Sequence, residues 1–322
     1  MNLTPFLLIL GAGSELCLYV NSSMAIKRNL IEDLSEVDVI NKHFSELFDL
    51  GKFVRTVQIG FAQTSELVSI TNSMHRINKH YHKERSSNEL ARDLKDAEEL
   101  EEFAKRQVDL KHPYLYNLAL IRTWSILETF VDEVAMSRLR GSTLDAFPQL
   151  HALKMSISEF INVDGAERLE IILTRFKETQ ASTLKKGNGR FKIVLDAVAV
   201  NGAVDEWVSK MFLEMSEIRN SLVHRGGVVD KRLLESCPWL REVRGGEVGV
   251  KEGQFNKYWY TAIWYVVKIK LALCDANCEE PGGGSRSAWK ELLEFYKEKI
   301  IRLGETGDLV THQSPLLAGS SH

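Results

Sequence analysis

The sequence predicts an all-α fold: a helical bundle with an added N-terminal helical segment and one small hairpin. Three observations predict it. Apolar residues recur at three- and four-residue intervals along most of the chain. Only 6 prolines stand among 322 residues rich in Leu, Glu and Lys, which helices tolerate well. The periodic stretches are punctuated by turn clusters such as Gly226-Gly227 and Pro281-Gly282-Gly283-Gly284.

Composition narrows the class. Hydrophobic residues make up 44% of the chain and charged residues 26%, as in soluble globular proteins. A net charge of −3 excludes a global basic field, so any nucleic-acid site has to be local. The four cysteines, Cys17, Cys237, Cys274 and Cys278, form no disulfide framework and suit a reducing cytosol. Cys274 and Cys278 lie one helical turn apart but lack the second pair that a zinc site needs. No metal or cofactor is expected.

Leu3–Val20 is apolar but interrupted by Gly11, Gly13, Ser14 and Glu15. It lacks a basic leader and an unbroken span, so it reads as a buried or interface helix and not as a membrane segment. The Gly11-Ala12-Gly13 turn lacks the third glycine of a dinucleotide fingerprint, with Leu16 in its place. From Met24 to about Asn78, Val37, Ile40, Phe44, Leu47 and Phe48 form one helical stripe, and Val57, Phe61, Ser65, Val68 and Asn72 approximate another. Gly51 and Gly60 mark breaks or tight contacts.

His75, His80 and His82 sit in a basic stretch ending near Arg85. They do not share one helical face, so the stretch reads as a solvated surface able to touch RNA and not as a metal site. Ser86-Ser87-Asn88-Glu89 is a helix start, and the charged, amphipathic run to Val108 reads as a linker or dimer arm. His112-Pro113 then punctuates the join.

Tyr114–Arg140 is the most apolar helix, with Leu120, Trp124, Leu127, Val131 and Val134 on one face. Glu128 lies within it, either as a rim carboxylate paired with Lys or Arg or as part of a site. Shorter helical patterns follow at Gln149–Ile157, Ala166–Lys177 and Phe191–Val200. Lys185-Lys186-Gly187-Asn188-Gly189-Arg190 is a basic turn without the ending of a P-loop. Lys185, Lys186 and Arg190 are candidate backbone contacts for single-stranded RNA.

Asp205-Glu206 opens a helix whose apolar side includes Met211, Met215, Ile218 and Leu222. It ends in Arg219-Asn220-Ser221-Leu222-Val223-His224-Arg225, and Gly226-Gly227 supply its left-handed stop. At about 100° per residue, Asn220 points away from the apolar stripe, His224 lies about 40° from Asn220, and Arg219 sits at the boundary. Arg241–Val250 reads as a small hairpin around Gly245-Gly246. Phe255–Ala276 is an aromatic-rich helix able to complete a bundle beside the Arg/His helix. A hinge at Pro281–Ser285 precedes a last helix, Ser287–Leu303, and the tail to His322 reads as disordered.

The arginine, the polar residue after it, the four-residue spacer and the histidine resemble the motif of the HEPN superfamily, helical ribonucleases and nucleotide-binding modules. The RiboL-PSP-type group is the candidate within it. The resemblance runs from about Lys111 to Ala276. It divides the chain into an N-terminal helical segment (1–110), a HEPN-like domain (111–276), a hinge with the last helix (277–303) and a tail (304–322). It implies a metal-independent endoribonuclease, a toxin or antiphage effector that cuts RNA to a 2′,3′-cyclic phosphate. Arg219 would clamp the phosphate, His224 would move the proton, and Asn220 would orient His224 or hold a substrate oxygen. Glu128 would be accessory and Arg225 a further RNA contact. RNA, a homodimer, and an antitoxin or regulatory protein are the implied partners; no membrane is.

The residue chemistry agrees. Imidazole titrates near neutrality, about pKa 6.5, as a general acid or base must. Guanidinium stays charged and forks onto phosphate oxygens. Geometry objects: on an ideal helix Arg219 and His224 stand about 140° and about 7.5 Å apart. The long arginine, an unwound last turn or a second subunit has to close that gap. The competing readings are a pairing of Arg219 with Glu217 or Glu214 that leaves His224 a cap, and a non-catalytic module that binds RNA, nucleotide or protein.

Overall fold

A computed structural model describes residues 34–81, 86–154, 156, 163, 165–180, 187–243, 246–277 and 285–305. Among them the fold is all-α. The helices are α1 (Glu36–Thr64), α2 (Leu67–His80), α3 (Ser87–Asp109), α4 (Pro113–Gly141), α5 (Gly165–Gln180), α6 (Gly189–Ala197), α7 (Glu206–His224), α8 (Lys231–Ser236), α9 (Glu252–Asn277) and α10 (Arg286–Glu305). The readings made for Leu3–Val20, Cys17, His82, Lys185, Lys186, Cys278, the hinge and the tail fall outside the described residues.

Local signals set most boundaries. The start read at Ser86 is a full capping box: Ser86 Oγ accepts from Glu89 N–H while the Glu89 carboxylate accepts from Ser86 N–H. Neither Gly51 nor Gly60 breaks α1, and the chain turns at Ser65-Glu66 instead. The helix read at Gln149–Ile157 does not form among the described residues: two 3-10 turns, Leu144–Ala146 and Pro148–Leu150, precede it or overlap its start, the second opened by its proline.

The hairpin read at Arg241–Val250 does not form among the described residues. Pro238–Val243 winds as a 3-10 helix, and the bridge in this region pairs Val228 with Glu247. Val229 N–H donates to Gly246 O at 3.0 Å and Val248 N–H to Gly227 O at 2.7 Å. The returning segment thus pairs Gly246 O and Val248 N–H with the turn after α7 and not with a strand of its own.

Two compact units emerge, neither a continuous stretch of sequence. One comprises Met1–Ser45, Leu127–Asp205 and Ile263–Glu298; the other comprises Glu46–Ile126, Glu206–Ala262 and Lys299–His322. In the first, Phe130, Val134, Leu195, Tyr265 and Ile269 are buried, and the Phe191 and Tyr265 rings lie 6.1 Å apart. His43 is fully buried there and meets Glu133 at 2.9 Å, where Lys42 also binds. Arg138 ties Glu36 to Asn277.

In the second unit the core is Leu47, Tyr116, Leu120, Trp124, Phe212, Met215, Ile218, Phe255 and Tyr258. Trp124 meets Phe212 edge-on at 6.3 Å. Trp259 Nε1 donates to Leu47 O at 2.7 Å. Asn117 clamps the segment that follows α7, accepting from Val250 N–H at 2.9 Å and donating to Val248 O at 3.4 Å.

The two glycines of α1 have opposite surroundings. A Cβ on Gly51 would stand 2.7 Å from the Trp259 ring, whereas one on Gly60 meets nothing within 4 Å. Gly51→Ala is therefore expected to destabilise by about 1–3 kcal/mol through overpacking. Gly60→Ala is expected to stabilise by roughly 0.5–1 kcal/mol through helix propensity. Urea unfolding of both variants checks the opposite signs.

Candidate functional site

The site is built on the C-terminal turns of α7. Phe212, Met215 and Ile218 are buried, and Val208 is buried a turn earlier, so one side of the helix packs into the unit. Met211 and Leu222 are only half-buried, while every residue from Glu214 to Ile218 is buried, so the helix is enclosed on all sides in its middle and opens toward its end. Arg219 and Asn220 are half-buried at the edge, and His224 is exposed in the last turn.

The helix stop is set by backbone chemistry. Gly226 and Gly227 take φ of 62° and 79°, the left-handed region that glycine enters at least cost. Gly227 N–H donates to Ser221 O at 2.9 Å, closing a turn one residue wider than the six-to-one bond of a Schellman ending. Ser221 Oγ, fully buried, donates to Val228 O at 2.7 Å and fastens the same turn.

Arg219 Nη1 donates to Asn220 Oδ1 at 3.1 Å. Asn220 stands one turn before His224, so the two are surface neighbours. The hydrogen bond draws the guanidinium from the boundary of α7 round toward the edge that His224 occupies. The helix stays regular through His224, so no unwound last turn brings the two groups closer. Their axial offset of about 7.5 Å persists.

Arg225 is engaged close by. Its Nη1 donates to both oxygens of Asp230 at 2.6 Å, and its Nη2 reaches Glu217 O at 3.5 Å. Asp230 is also the N-cap of α8, accepting from Leu233 N–H at 2.9 Å. That amide first, and then Arg225, hold its carboxyl below the usual range. Arg225 thus braces the turn beneath the motif.

The remaining candidates lie in the other unit. Arg190 and Glu128, read for separate roles, form an ion pair at 2.8 Å. Neither belongs to the unit that holds Arg219, Asn220 and His224. Among the described residues no group of three His, Cys, Asp or Glu is placed to hold a metal ion. No described helix is long and apolar enough to cross a membrane.

Sequence reasoning missed the polar cluster under the motif. Glu214 is 2% exposed, and it does not serve Arg219. It accepts from Trp239 Nε1 at 2.8 Å, from Gln254 Nε2 at 3.2 Å and from the Tyr258 hydroxyl. Gln254 Nε2 also donates to Tyr258 Oη at 2.6 Å. Burial, and then the Glu214 charge, push the Tyr258 phenol well above its ordinary value, which keeps it a donor. One signal was available: at about 100° per residue Glu214 lies within about 40° of Ile218, inside the apolar stripe.

No family model matches the chain, and neither the curated proteins nor the solved structures contain a match to it.

Truncating Glu214 removes the acceptor of three donors, two of them on the buried residues Gln254 and Tyr258 and one on the exposed Trp239. Glu214→Ala is expected to lower stability by about 3 kcal/mol and Tyr258→Phe by about 1 kcal/mol. Urea titration followed by tryptophan fluorescence measures both, and equal, negligible losses would refute the cluster's anchoring role.

Proposed function

We propose that the protein is a metal-independent endoribonuclease of the HEPN type, acting in the cytoplasm as a toxin or antiphage effector. The observation that carries this reading is the Arg219–Asn220 hydrogen bond, one turn from an exposed His224 at a glycine-stopped helix end. In this mechanism His224 takes the proton from a ribose 2′-hydroxyl. The 2′-oxygen attacks phosphorus, the bond to the 5′-oxygen breaks, and that oxygen leaves with a proton. Arg219 holds the non-bridging oxygens, where charge accumulates. Asn220 fixes the guanidinium and leaves its own amide nitrogen for a substrate oxygen. The products are a 2′,3′-cyclic phosphate and a 5′-hydroxyl. A second copy would supply the groups that one regular helix does not aim at the same atom.

A second reading rests on that same regularity. With the last turn wound through to His224, one chain does not converge both groups on one phosphate, which favours a module that binds RNA without cutting it. The two readings separate on one experiment: RNA incubated with the full chain in EDTA, followed by analysis of the ends. The nuclease reading expects cyclic-phosphate ends, with His224→Ala and Arg219→Ala each at least about 100-fold slower. RNA left intact by the wild type at every protein concentration, with binding retained, would establish the module instead.

A further inference from the structure

The hairpin of α2 and α3 presents its apolar side to solvent. Val68 N–H donates to the Glu101 carboxylate at 2.7 Å, and His75 meets Asp93 at 3.5 Å, which sets the two helices antiparallel. The residues that α2 turns inward are therefore Val68, Thr71, His75 and Asn78, all half-buried. Its large apolar residues lie about 100° away from that face. Ile70, Met74, Ile77 and Tyr81 are 44%, 59%, 56% and 70% exposed. No residue of α2 is fully buried. A lone surface helix does the reverse, packing its apolar face inward.

We infer that this stripe is a docking surface for a second copy of the chain, joined α2 to α2 in antiparallel register about a two-fold axis. The spacing carries the assignment. From Ile70 to Tyr81 the stripe steps by four, three and four residues, so it reads the same from either end. A two-fold contact requires that symmetry, because residue i must meet j while j meets i. Ile70 then faces Tyr81 of the other copy, and Met74 faces Ile77. The alternation of three- and four-residue steps is also the spacing of helix–helix seams.

Charge agrees with this occupant. The positions flanking the stripe include Ser73 and Asn78, which are uncharged, while Arg76 and Lys79 sit more than about 100° from its centre. An acidic partner would have no cation at the seam to meet, and two copies would have no like charges pressed together. The surface is smaller than the roughly 800 Å² per partner of stable complexes, so the pair forms and dissociates with concentration. This assignment stands apart from the ribonuclease reading and from any seam beside the motif.

Sedimentation velocity of the full chain over a dilution series tests it. A reversible monomer–dimer equilibrium is expected, and Met74→Glu with Ile77→Glu should weaken it at least about tenfold through four seam carboxylates. At dilutions where the wild type is monomeric the thermal midpoint should not move, since both residues are exposed. Register is read by oxidising an equimolar mixture of Met74→Cys and Ile77→Cys chains against a wild-type control. The mixed dimer should exceed the two self-crosslinked products together, since random pairing alone makes it only equal to their sum. A chain that stays monomeric at all concentrations overturns the proposal and leaves the stripe to a different protein. Dimers that survive the double substitution, or preferential crosslinking of each variant to itself, overturn it as well.

Discussion

A buried carboxylate fixes the rotation of the helix that carries the motif. Glu214 lies one turn and a residue before Arg219, and three donors from the 3-10 turn and α9 close around it. A charge removed from water is tolerated only when its lone pairs are met, so this site selects one rotation of α7 over its neighbours. Buried Ile218 and Met215 are compatible with several small rotations; a hydrogen-bonded carboxylate is less permissive. The position of Arg219 and Asn220 at the solvent edge follows from that choice. Ser221 and the two left-handed glycines then fix where the helix ends.

The parts of this arrangement that are local were legible from residue order alone. Ser86 and Glu89 advertise a capping box because both partners lie within four residues. Gly226-Gly227 advertise a stop because few other residues accept positive φ twice in succession. The parts that are distant were not. Glu214 was visible as a carboxylate in an apolar stripe, but its donors arrive from 25 to 44 residues later. Gly51 was read as a break or a tight contact and is the second, but nothing nearby in sequence announces that its neighbour is the Trp259 ring. The pattern at Arg241–Val250 has the alternation of a hairpin, yet those backbone groups pair with the turn after α7, which was already short of partners.

The same distinction explains the site candidates. Arg219, Asn220 and His224 share one helix, so their relation could be read on a wheel, and the structure adds the hydrogen bond that turns the arginine. Glu128 and Arg190 are 62 positions apart in sequence, and no local rule could announce that they pair with each other. Arg225 was read as a cation for RNA because it follows the motif. Its two bonds to Asp230 give it a structural task, and a guanidinium with donors already on a carboxylate has fewer of them to offer a phosphate.

Exposure along the end of α7 is graded in a way that would suit the proton and phosphate roles proposed for Arg219 and His224. A group that holds a phosphate gains from being held itself, because ordering a long side chain at the moment of binding costs entropy. Half-burial and the bond to Asn220 order Arg219 in advance. A group that moves a proton has the opposite need, since it must reset by exchange with water after each turnover. His224, exposed in the last turn, meets that need. A pairing that served only to cap the helix would place the imidazole on the last carbonyls and leave the arginine indifferent to it. Here the carbonyl of Ser221 is met by the amides of Arg225 and Gly227, so that carbonyl needs nothing from the histidine. The imidazole is thereby left to the solvent side, on the edge toward which the guanidinium is turned.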